Sequence, residues 1–219
     1  MASARSHRLS TPSNARLRDD HRFRALLSAE DWGRLPVSIW RRFSTRLADG
    51  ATVIYVGEIE HAQLSRAGWW FALAARLIGG PLPTSADTGV PMIVAVTEDA
   101  ASGGQIWTRI CGRIHGFPQV IHSAKRFAGP TGLEEYLGWG LSMSLRVCVA
   151  DGALEFRSTG YAIAFAGLRC PLPSWLTPGD VVVTHSDLGE GAFRFTLEIT
   201  HPRFGRIISQ SAVFREASS

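Results

Sequence analysis

The sequence predicts a mainly β (α+β) domain, in which an antiparallel meander curls into a barrel or half-barrel with two or three N-terminal helices packed on or into it. Two observations favour this class. Apolar and polar residues alternate from Gln105 to Phe214, and Gly, Pro and Asp turns interrupt the alternation about every ten residues. No helical segment separates the strands of this run, so we expect consecutive strands to pair as hairpins.

Length and composition set the number of domains. The chain has 219 residues, of which 45% are hydrophobic, enough for one well-packed domain and too few for two. Residues 1–24 hold six arginines against two aspartates and contain no apolar run of the kind found in secretory signals. We therefore predict a disordered basic tail at 1–24 and a single β-rich domain at 25–219. An organelle transit peptide is the alternative for the tail, but 22 of the 23 basic residues are arginine, which is typical of a GC-rich bacterial proteome.

Charge and cysteine content restrict the partners and the compartment. Outside the tail, 17 basic residues balance 17 acidic ones, so the folded part has no net field to attract nucleic acid. Cys111, Cys148 and Cys170 are widely spaced and form no C-x-x-C pair. We expect three free thiols in a reducing environment, and hence a cytoplasmic protein.

The N-terminal part of the domain is predicted to be helical before the first strand begins. Apolar residues from Leu26 to Leu47 recur at helical spacing, with Pro36 suited to the first turn of a second helix and Asp49-Gly50 to its end. These residues predict an amphipathic helix lying on the rest of the fold. Thr52–Glu60 then has the composition of a β-strand.

A further helix is predicted at residues 68–80, and it is apolar on nearly every side. Ser65 can cap its start and Gly79-Gly80-Pro81 can end it. At about 13 residues it is too short to span a bilayer, so we predict no transmembrane segment. Burial in the core or in a cavity wall is favoured, because a membrane-surface helix would have a strongly charged face; a docking surface and membrane contact are the alternatives.

The remaining strands alternate clearly, and eight to nine are expected in all. They cover Met92–Asp99, Ile106–Cys111, Leu141–Val149, a return strand after the Asp151-Gly152 turn, Tyr161–Ala166, Val181–Thr184, Phe193–Ile199 and Ile207–Phe214. In Tyr161–Ala166 large apolar residues occupy one face and alanines the other. We expect this strand to be covered on both sides.

The order of several weak signals resembles the domain of unknown function family 4166 (DUF4166), over roughly residues 30–215. These signals are W-x-R at Trp107 and Arg109, Gly112, Phe117, Ser123, E-x-x-G at Glu135 and Gly138, the Asp151-Gly152 hairpin, G-L-x-x-P-L-P at 167–173, F-R-F at 193–195, and Pro202 with Gly205. Where the family pattern has Tyr-x-Gly in the last strand, this chain has Gln210 and Ala212.

The resemblance implies a bacterial domain that occurs alone or behind a saccharopine-dehydrogenase-like NAD(P) reductase domain, with a cytoplasmic or membrane-proximal role and no established activity. A reductase-like protein is therefore one expected partner. A small apolar molecule is the other, because a barrel with apolar inner walls can hold one with only a few polar groups.

The candidate ligand-binding residues are those expected to face the barrel interior: Trp107, Arg109, Glu135, Tyr161 and Phe165. Arg109 and Glu135 would hold the polar end of a ligand, and a structural salt bridge or a solvated face is the alternative for this pair. No cofactor and no metal are predicted. His115 and His122 lack a third ligand, and the contiguous His185-Ser186-Asp187 cannot adopt the geometry of a catalytic triad.

Three hypotheses for function remain, and the sequence does not decide whether the domain is an enzyme. The first is a non-catalytic domain that binds an apolar or amphipathic small molecule in a barrel cavity. The second is an accessory domain for a reductase-like partner, docked through Trp69 and Trp70. The third is a hydrolase or isomerase that uses Arg109, Glu135 or a histidine. Glu58, Glu60 and His61 are interpreted as an exposed strand edge.

Overall fold

A computed structural model describes residues 18–48, 51–166 and 168–217 of the chain. The described part contains three α-helices: α1 Ala29–Arg34, α2 Val37–Phe43 and α3 Arg66–Ala75. Its strands are β1 Arg18–Asp19, β2 Thr45–Arg46, β3 Thr52–Leu64, β4 Val90–Asp99, β5 Gly104–Cys111, β6 Gln119–Arg126, β7 Glu134–Gly138, β8 Leu141–Ala150, β9 Ala153–Phe165, β10 Leu168–Pro171, β11 Asp180–Gly189, β12 Ala192–His201 and β13 Gly205–Glu216. Short 3-10 helices occupy Arg24–Leu26, Arg76–Ile78 and Ser174–Leu176.

Ten of these strands form a closed antiparallel barrel, which confirms the predicted mainly β class and the meander. From β3 to β9, each strand pairs with the one that follows it in the chain. In the same way β11 pairs with β12, and β12 with β13. The circle closes because β9 pairs with both β8 and β11, and β13 pairs with β3. The short strand β10 adds to the second half of β9 and is not one of the ten.

The sequence prediction missed two of the barrel strands, β6 and β7. In β6 the residues buried after Ile121 are Ser123, Ala124 and Lys125, and those on the same face as Ile121 are the polar Ser123 and Lys125, so apolar and polar residues do not alternate clearly. Strand β7 has only five residues and begins with two glutamates. Both strands place polar side chains on the inner face of the barrel, where a hydrophobic pattern is normally expected.

Because neighbouring strands run in opposite directions, successive connections lie alternately at the two ends of the barrel. Segments 65–89, 112–118, 139–140, 166–179 and 202–204 join strands at one end, called here the mouth end. Segments 100–103, 127–133, 151–152 and 190–191 join strands at the other, called here the plug end. The N-terminal helices precede β3, which starts at the plug end.

The N-terminal segment fills the plug end, in agreement with the prediction that the N-terminal helices pack on or into the barrel. Phe23, Ile39 and Phe43 are buried, and the rings of Phe23 and Phe43 both contact Phe156 of β9. Residues 18–24 of the predicted tail are therefore part of the fold, while residues 1–17 lie outside the described residues. The predicted helix end at Asp49-Gly50 also lies outside them; α2 ends earlier, at Phe43.

Helix α3 crosses the mouth end. Ser65 Oγ accepts a hydrogen bond from the Gly68 amide at 3.1 Å, which is the predicted N-terminal cap. The helix sits so close to β13 that a Cβ atom on Gly68 would lie 2.2 Å from the Ile207 carbonyl oxygen. Trp69 and Trp70 nevertheless point outward and are 42% and 64% exposed. The prediction that this helix is buried is therefore wrong for the two tryptophans, because only one side of the helix contacts the barrel.

The second half of β9 is also more exposed than expected. Tyr161 and Ala162 are buried, but Ile163 is 38% exposed and Phe165 is 79% exposed. Strand β10 pairs edge to edge with this part of β9 and so covers neither of its faces. No helix among the described residues is long and apolar enough to cross a membrane.

Candidate functional site

The barrel encloses a cavity of about 450 Å³ with mostly apolar walls. The inward-facing side chains of the strands form these walls, because alternate residues of each strand point into the barrel. The apolar lining includes Met92, Val94, Met143, Phe195, Leu197 and Phe214. The volume lies within the range of about 300–1,000 Å³ that is usual for sites of small molecules.

The cavity opens at the mouth end. Its exposed lining residues are Ala74, Trp139, Ile163 and Leu176, and all four lie in or beside the mouth-end connections. Helix α3 contributes Phe71 and Ala74 to the wall. The loop after it is held in place by Gln119, whose side chain accepts from the Thr84 amide at 2.9 Å and donates to the Leu82 carbonyl at 2.8 Å.

A cluster of three charged side chains lies deep in this mostly apolar cavity. Arg109, Lys125 and Glu135 come from the neighbouring strands β5, β6 and β7 and all line the cavity. The Lys125 ammonium donates to Glu135 Oε2 at 3.2 Å, and Arg109 Nη2 donates to Glu135 Oε1 at 3.2 Å. Arg109 Nη2 also donates to Ser123 Oγ at 3.0 Å. The cluster is nearer the plug, since Lys125 Nζ lies 5.2 Å from the Phe156 ring.

The electrostatics of the cluster are set by burial and by its unequal number of charges. Burial alone would raise the pKa of Glu135, but Lys125 and Arg109 outweigh that effect and lower its pKa to about 2. Burial lowers the pKa of Lys125, and the Glu135 carboxylate opposes the change. With Lys125 protonated, two cations share one carboxylate, so the cluster has one net positive charge in a low-dielectric wall.

The structure brings four of the five candidate ligand-binding residues to the cavity and leaves one outside. Trp107, Arg109, Glu135 and Tyr161 are lining residues, whereas Phe165 lies at the end of β9 and points to solvent. The Trp107 ring packs 4.8 Å from Lys125 Nζ in a cation–π contact. The Tyr161 hydroxyl donates to the Gly179 carbonyl at 3.2 Å, and burial raises its pKa.

Sequence reasoning missed Lys125, which joins the two residues of the predicted pair. Two signals could have found it. Lys125 is the single lysine of the chain, and it lies two residues after Ser123 on what proves to be a strand. Gln210 and Ala212 of the last strand also line the cavity.

The other polar candidates do not converge on the cavity. His122 Nδ1 is within 3.1 Å of Thr108 Oγ1 on an exposed part of the barrel wall, and Glu60 forms an ion pair with Arg194 at 3.1 Å. No group of three potential metal ligands occurs among the described residues. The three cysteines are free, and burial raises the pKa of the Cys111 thiol.

His185 belongs to the packing at the plug end. It lies within β11, which continues to Gly189, so the strand is longer than the predicted Val181–Thr184. Its ring stacks on Phe193 with centroids 4.8 Å apart, and its Nε2 is 2.6 Å from Arg42 Nη1. Burial lowers the pKa of His185 well below the usual value, with a further contribution from Arg42. The ring is therefore neutral and accepts from Arg42 at Nε2.

The fold and the cavity together define a class: a closed, ten-stranded antiparallel β-barrel with an apolar interior and a buried charged cluster in its wall. Residues 35–214 match the model of the family described as a domain of unknown function, DUF4166. The chain belongs to this family. No curated protein and no solved structure matches the chain.

Proposed function

We propose that this domain is a non-catalytic binding protein that holds one amphipathic small molecule in the barrel cavity, with an anionic head group at the Arg109–Lys125–Glu135 cluster. The main observation is the cavity itself, which is apolar from mouth to floor except for a few polar groups and one charged cluster. Pockets of this kind fix a ligand by apolar contact and orient it by convergent polar groups.

An anionic head group is favoured by the charge of the cluster. The single carboxylate is already shared by Lys125 and Arg109, and the Arg109 side chain is still 23% accessible at the cavity surface. A carboxylate or similar anion beside Arg109 would balance the remaining positive charge and accept charge-assisted hydrogen bonds. The hydrocarbon part would then extend past Met143 and Leu197 toward the mouth.

The enzyme hypothesis has weaker support in the same cluster. The polar groups do gather in a concave site, as a hydrolase or isomerase would require. However, a Glu135 pKa of about 2 makes this carboxylate a poor general base and keeps it ionised at neutral pH, where it cannot act as a general acid. The cluster is better suited to holding an ion than to moving a proton.

The accessory-domain hypothesis is supported by the exposure of Trp69 and Trp70 on α3. Aromatic residues are common at the centres of protein interfaces. Co-purification with a reductase-like protein from the host, lost in the Trp69→Ser/Trp70→Ser variant, would favour this function over small-molecule binding. A cytoplasmic location is part of both proposals.

Filling the cavity tests the proposal directly. Fluorescence titration with cis-parinaric acid should show saturable binding to the wild type and at least about tenfold weaker binding to Leu197→Trp, because the new ring occupies the space of the ligand. The control Leu188→Trp adds the same ring to an exposed position of β11 and should bind like the wild type. Equal binding by Leu197→Trp and the wild type, or no binding by a folded wild type, would overturn the proposal.

A further inference from the structure

The mouth end of the barrel has an unusual concentration of exposed aromatic residues. Each of the five mouth-end connections exposes at least one. The most exposed aromatic residue of each connection belongs to the set called here the mouth rim: Trp70, Phe117, Trp139, Trp175 and Phe204. Phe117, the most exposed of them, presents 92% of its surface to solvent. The four plug-end connections, all of whose residues the structure describes, expose no large apolar side chain. Other parts of the plug end expose Val37, Leu188 and, at 38%, Trp40, so it is the exposed aromatic residues that are concentrated at the mouth end.

Formal charge is distributed with the same asymmetry. The mouth-end connections contain five arginines, Arg66, Arg76, Arg113, Arg169 and Arg203, against the single acidic residue Asp87. The plug-end connections contain Asp151 and Glu190 and no basic residue, and the N-terminal segment 18–48 at the same end adds seven arginines and four acidic residues, so basic and acidic residues nearly balance there. Arg66, Arg76 and Arg203 are exposed on the same end as the mouth rim. A surface that combines exposed Trp and Phe with arginines complements the interface of an anionic lipid bilayer.

Part of the mouth rim borders the opening of the cavity. Trp139 belongs both to the rim and to the cavity lining, and Leu176 of the lining is adjacent to Trp175 of the rim. A bilayer in contact with the rim would therefore face the apolar cavity directly, and a hydrocarbon chain could move between them without crossing water. This arrangement avoids the unfavourable exposure of the ligand's apolar surface to water during transfer.

We propose that the mouth rim docks on the surface of an anionic lipid bilayer and that the cavity exchanges its amphipathic ligand with that bilayer. The exchange rests on the proposed function of the cavity, whereas the docking rests only on the mouth rim and its arginines. The aromatic side chains would enter the headgroup region, and the arginines would contact the lipid phosphates. No strand or helix needs to insert further.

Flotation with vesicles tests the docking. The wild type should float with vesicles of equal parts phosphatidylcholine and phosphatidylglycerol, and more weakly with phosphatidylcholine alone or at high salt. The variant Trp70→Ser/Phe117→Ser/Trp175→Ser should partition at least about tenfold less. These three side chains are exposed and do not line the cavity, so the variant should fold and bind cis-parinaric acid like the wild type.

The matched control is Val37→Ser/Leu188→Ser, which removes exposed apolar side chains at the plug end and should float like the wild type. Docking is overturned if the wild type does not float with the anionic vesicles or if the triple variant floats equally well. It is also overturned if the wild type is a dimer that the triple variant dissociates, because a second copy then covers the rim, or if a protein partner from the host binds the rim and vesicles do not. Flotation without cis-parinaric acid binding would refute the cavity function alone, and the reverse result would refute the docking alone.

Discussion

Glu135 is the residue on which the charged cluster depends, because it is the shared acceptor of Lys125 and Arg109. Lys125 is 4% exposed, and so it cannot be solvated by water if this acceptor is removed. Breaking a buried pair by removing one partner typically costs about 3–5 kcal/mol, whereas replacing both partners with apolar or neutral groups costs much less. Each charge of the cluster is therefore stable in the barrel wall only while its oppositely charged partner is present.

The pKa of Glu135 predicts a specific loss of stability in acid. Its pKa is lowered in the folded state, so its contribution to the free energy of unfolding is complete above its unfolded pKa near 4.5 and is lost as the pH falls through about 2. The shift corresponds to about 3 kcal/mol. Urea unfolding between about pH 5 and pH 2 should show that the stability difference between the wild type and Glu135→Gln shrinks with acidification.

Two controls accompany this measurement. Glu60→Gln removes an exposed carboxylate whose ion pair with Arg194 is worth little, so its stability difference from the wild type should stay near zero. Lys125→Met/Glu135→Gln should be more stable than Glu135→Gln at neutral pH, because no ammonium is left unpaired. If the free energies of unfolding of the wild type and Glu135→Gln fell equally with decreasing pH, the lowered pKa of Glu135 would be contradicted.

Arg109 should determine the preference for an anionic head group. We expect Arg109→Gln to weaken binding of cis-parinaric acid by about tenfold or more, as the loss of a charge-assisted hydrogen bond of about 1.5–3 kcal/mol implies. Binding of the corresponding alcohol should change much less. The control Arg146→Gln alters an exposed arginine of β8. Equal weakening for acid and alcohol would mean that Arg109 supports the cavity wall and does not recognise the head group.

At the scale of the elements, α3 depends on a close contact with β13 that only glycine permits. The position of Gly68 against the Ile207 carbonyl oxygen leaves no room for a methyl group. Gly33 provides a contrast, since it lies in α1 and a Cβ atom there would have nothing within 4 Å. The same substitution should therefore have opposite effects in the two helices.

Thermal unfolding of two alanine variants tests this contrast. Gly68→Ala should lower the melting temperature, because either α3 or β13 must move to accommodate the methyl group. Gly33→Ala should raise it slightly, since alanine is favoured over glycine in a helix by about 1 kcal/mol. Because α3 forms part of the cavity wall, Gly68→Ala should also change cis-parinaric acid binding, whereas Gly33→Ala should not. A neutral Gly68→Ala would show that α3 is loosely seated.

The elements also show where the sequence is informative. Strands such as β8 and β12 have one apolar and one polar face, so alternation predicts them correctly. The strands that form the charged cluster interrupt this pattern on the inner face, and for that reason β6 and β7 could not be predicted from hydrophobicity. Likewise, Trp107, Arg109, Glu135 and Tyr161 could be selected from the residue pattern and the family resemblance, but Lys125 required the register between β6 and β7.

At the scale of the whole molecule, ligand binding should stabilise the entire barrel, because the cavity walls come from most of its strands. A ligand that binds only the folded state adds about 2.7 kcal/mol to the free energy of unfolding at a free concentration of 100 times its dissociation constant. Chemical unfolding with and without cis-parinaric acid should show this increase for the wild type and for Leu188→Trp. Leu197→Trp should show little or none. An equal increase in Leu197→Trp would place the binding outside the cavity.

The closed barrel has a further consequence for how the domain can be joined to other proteins. Arg18–Asp19 pairs with Thr45–Arg46 just before β3, and the Ala217 amide donates to the Ile54 carbonyl, so both ends of the described chain lie at the plug end. The even number of barrel strands places the start of β3 and the end of β13 at the same end. A neighbour linked through either end would be tethered on the side opposite the opening. Fusion, affinity tagging or surface immobilisation should therefore leave access to the interior unobstructed.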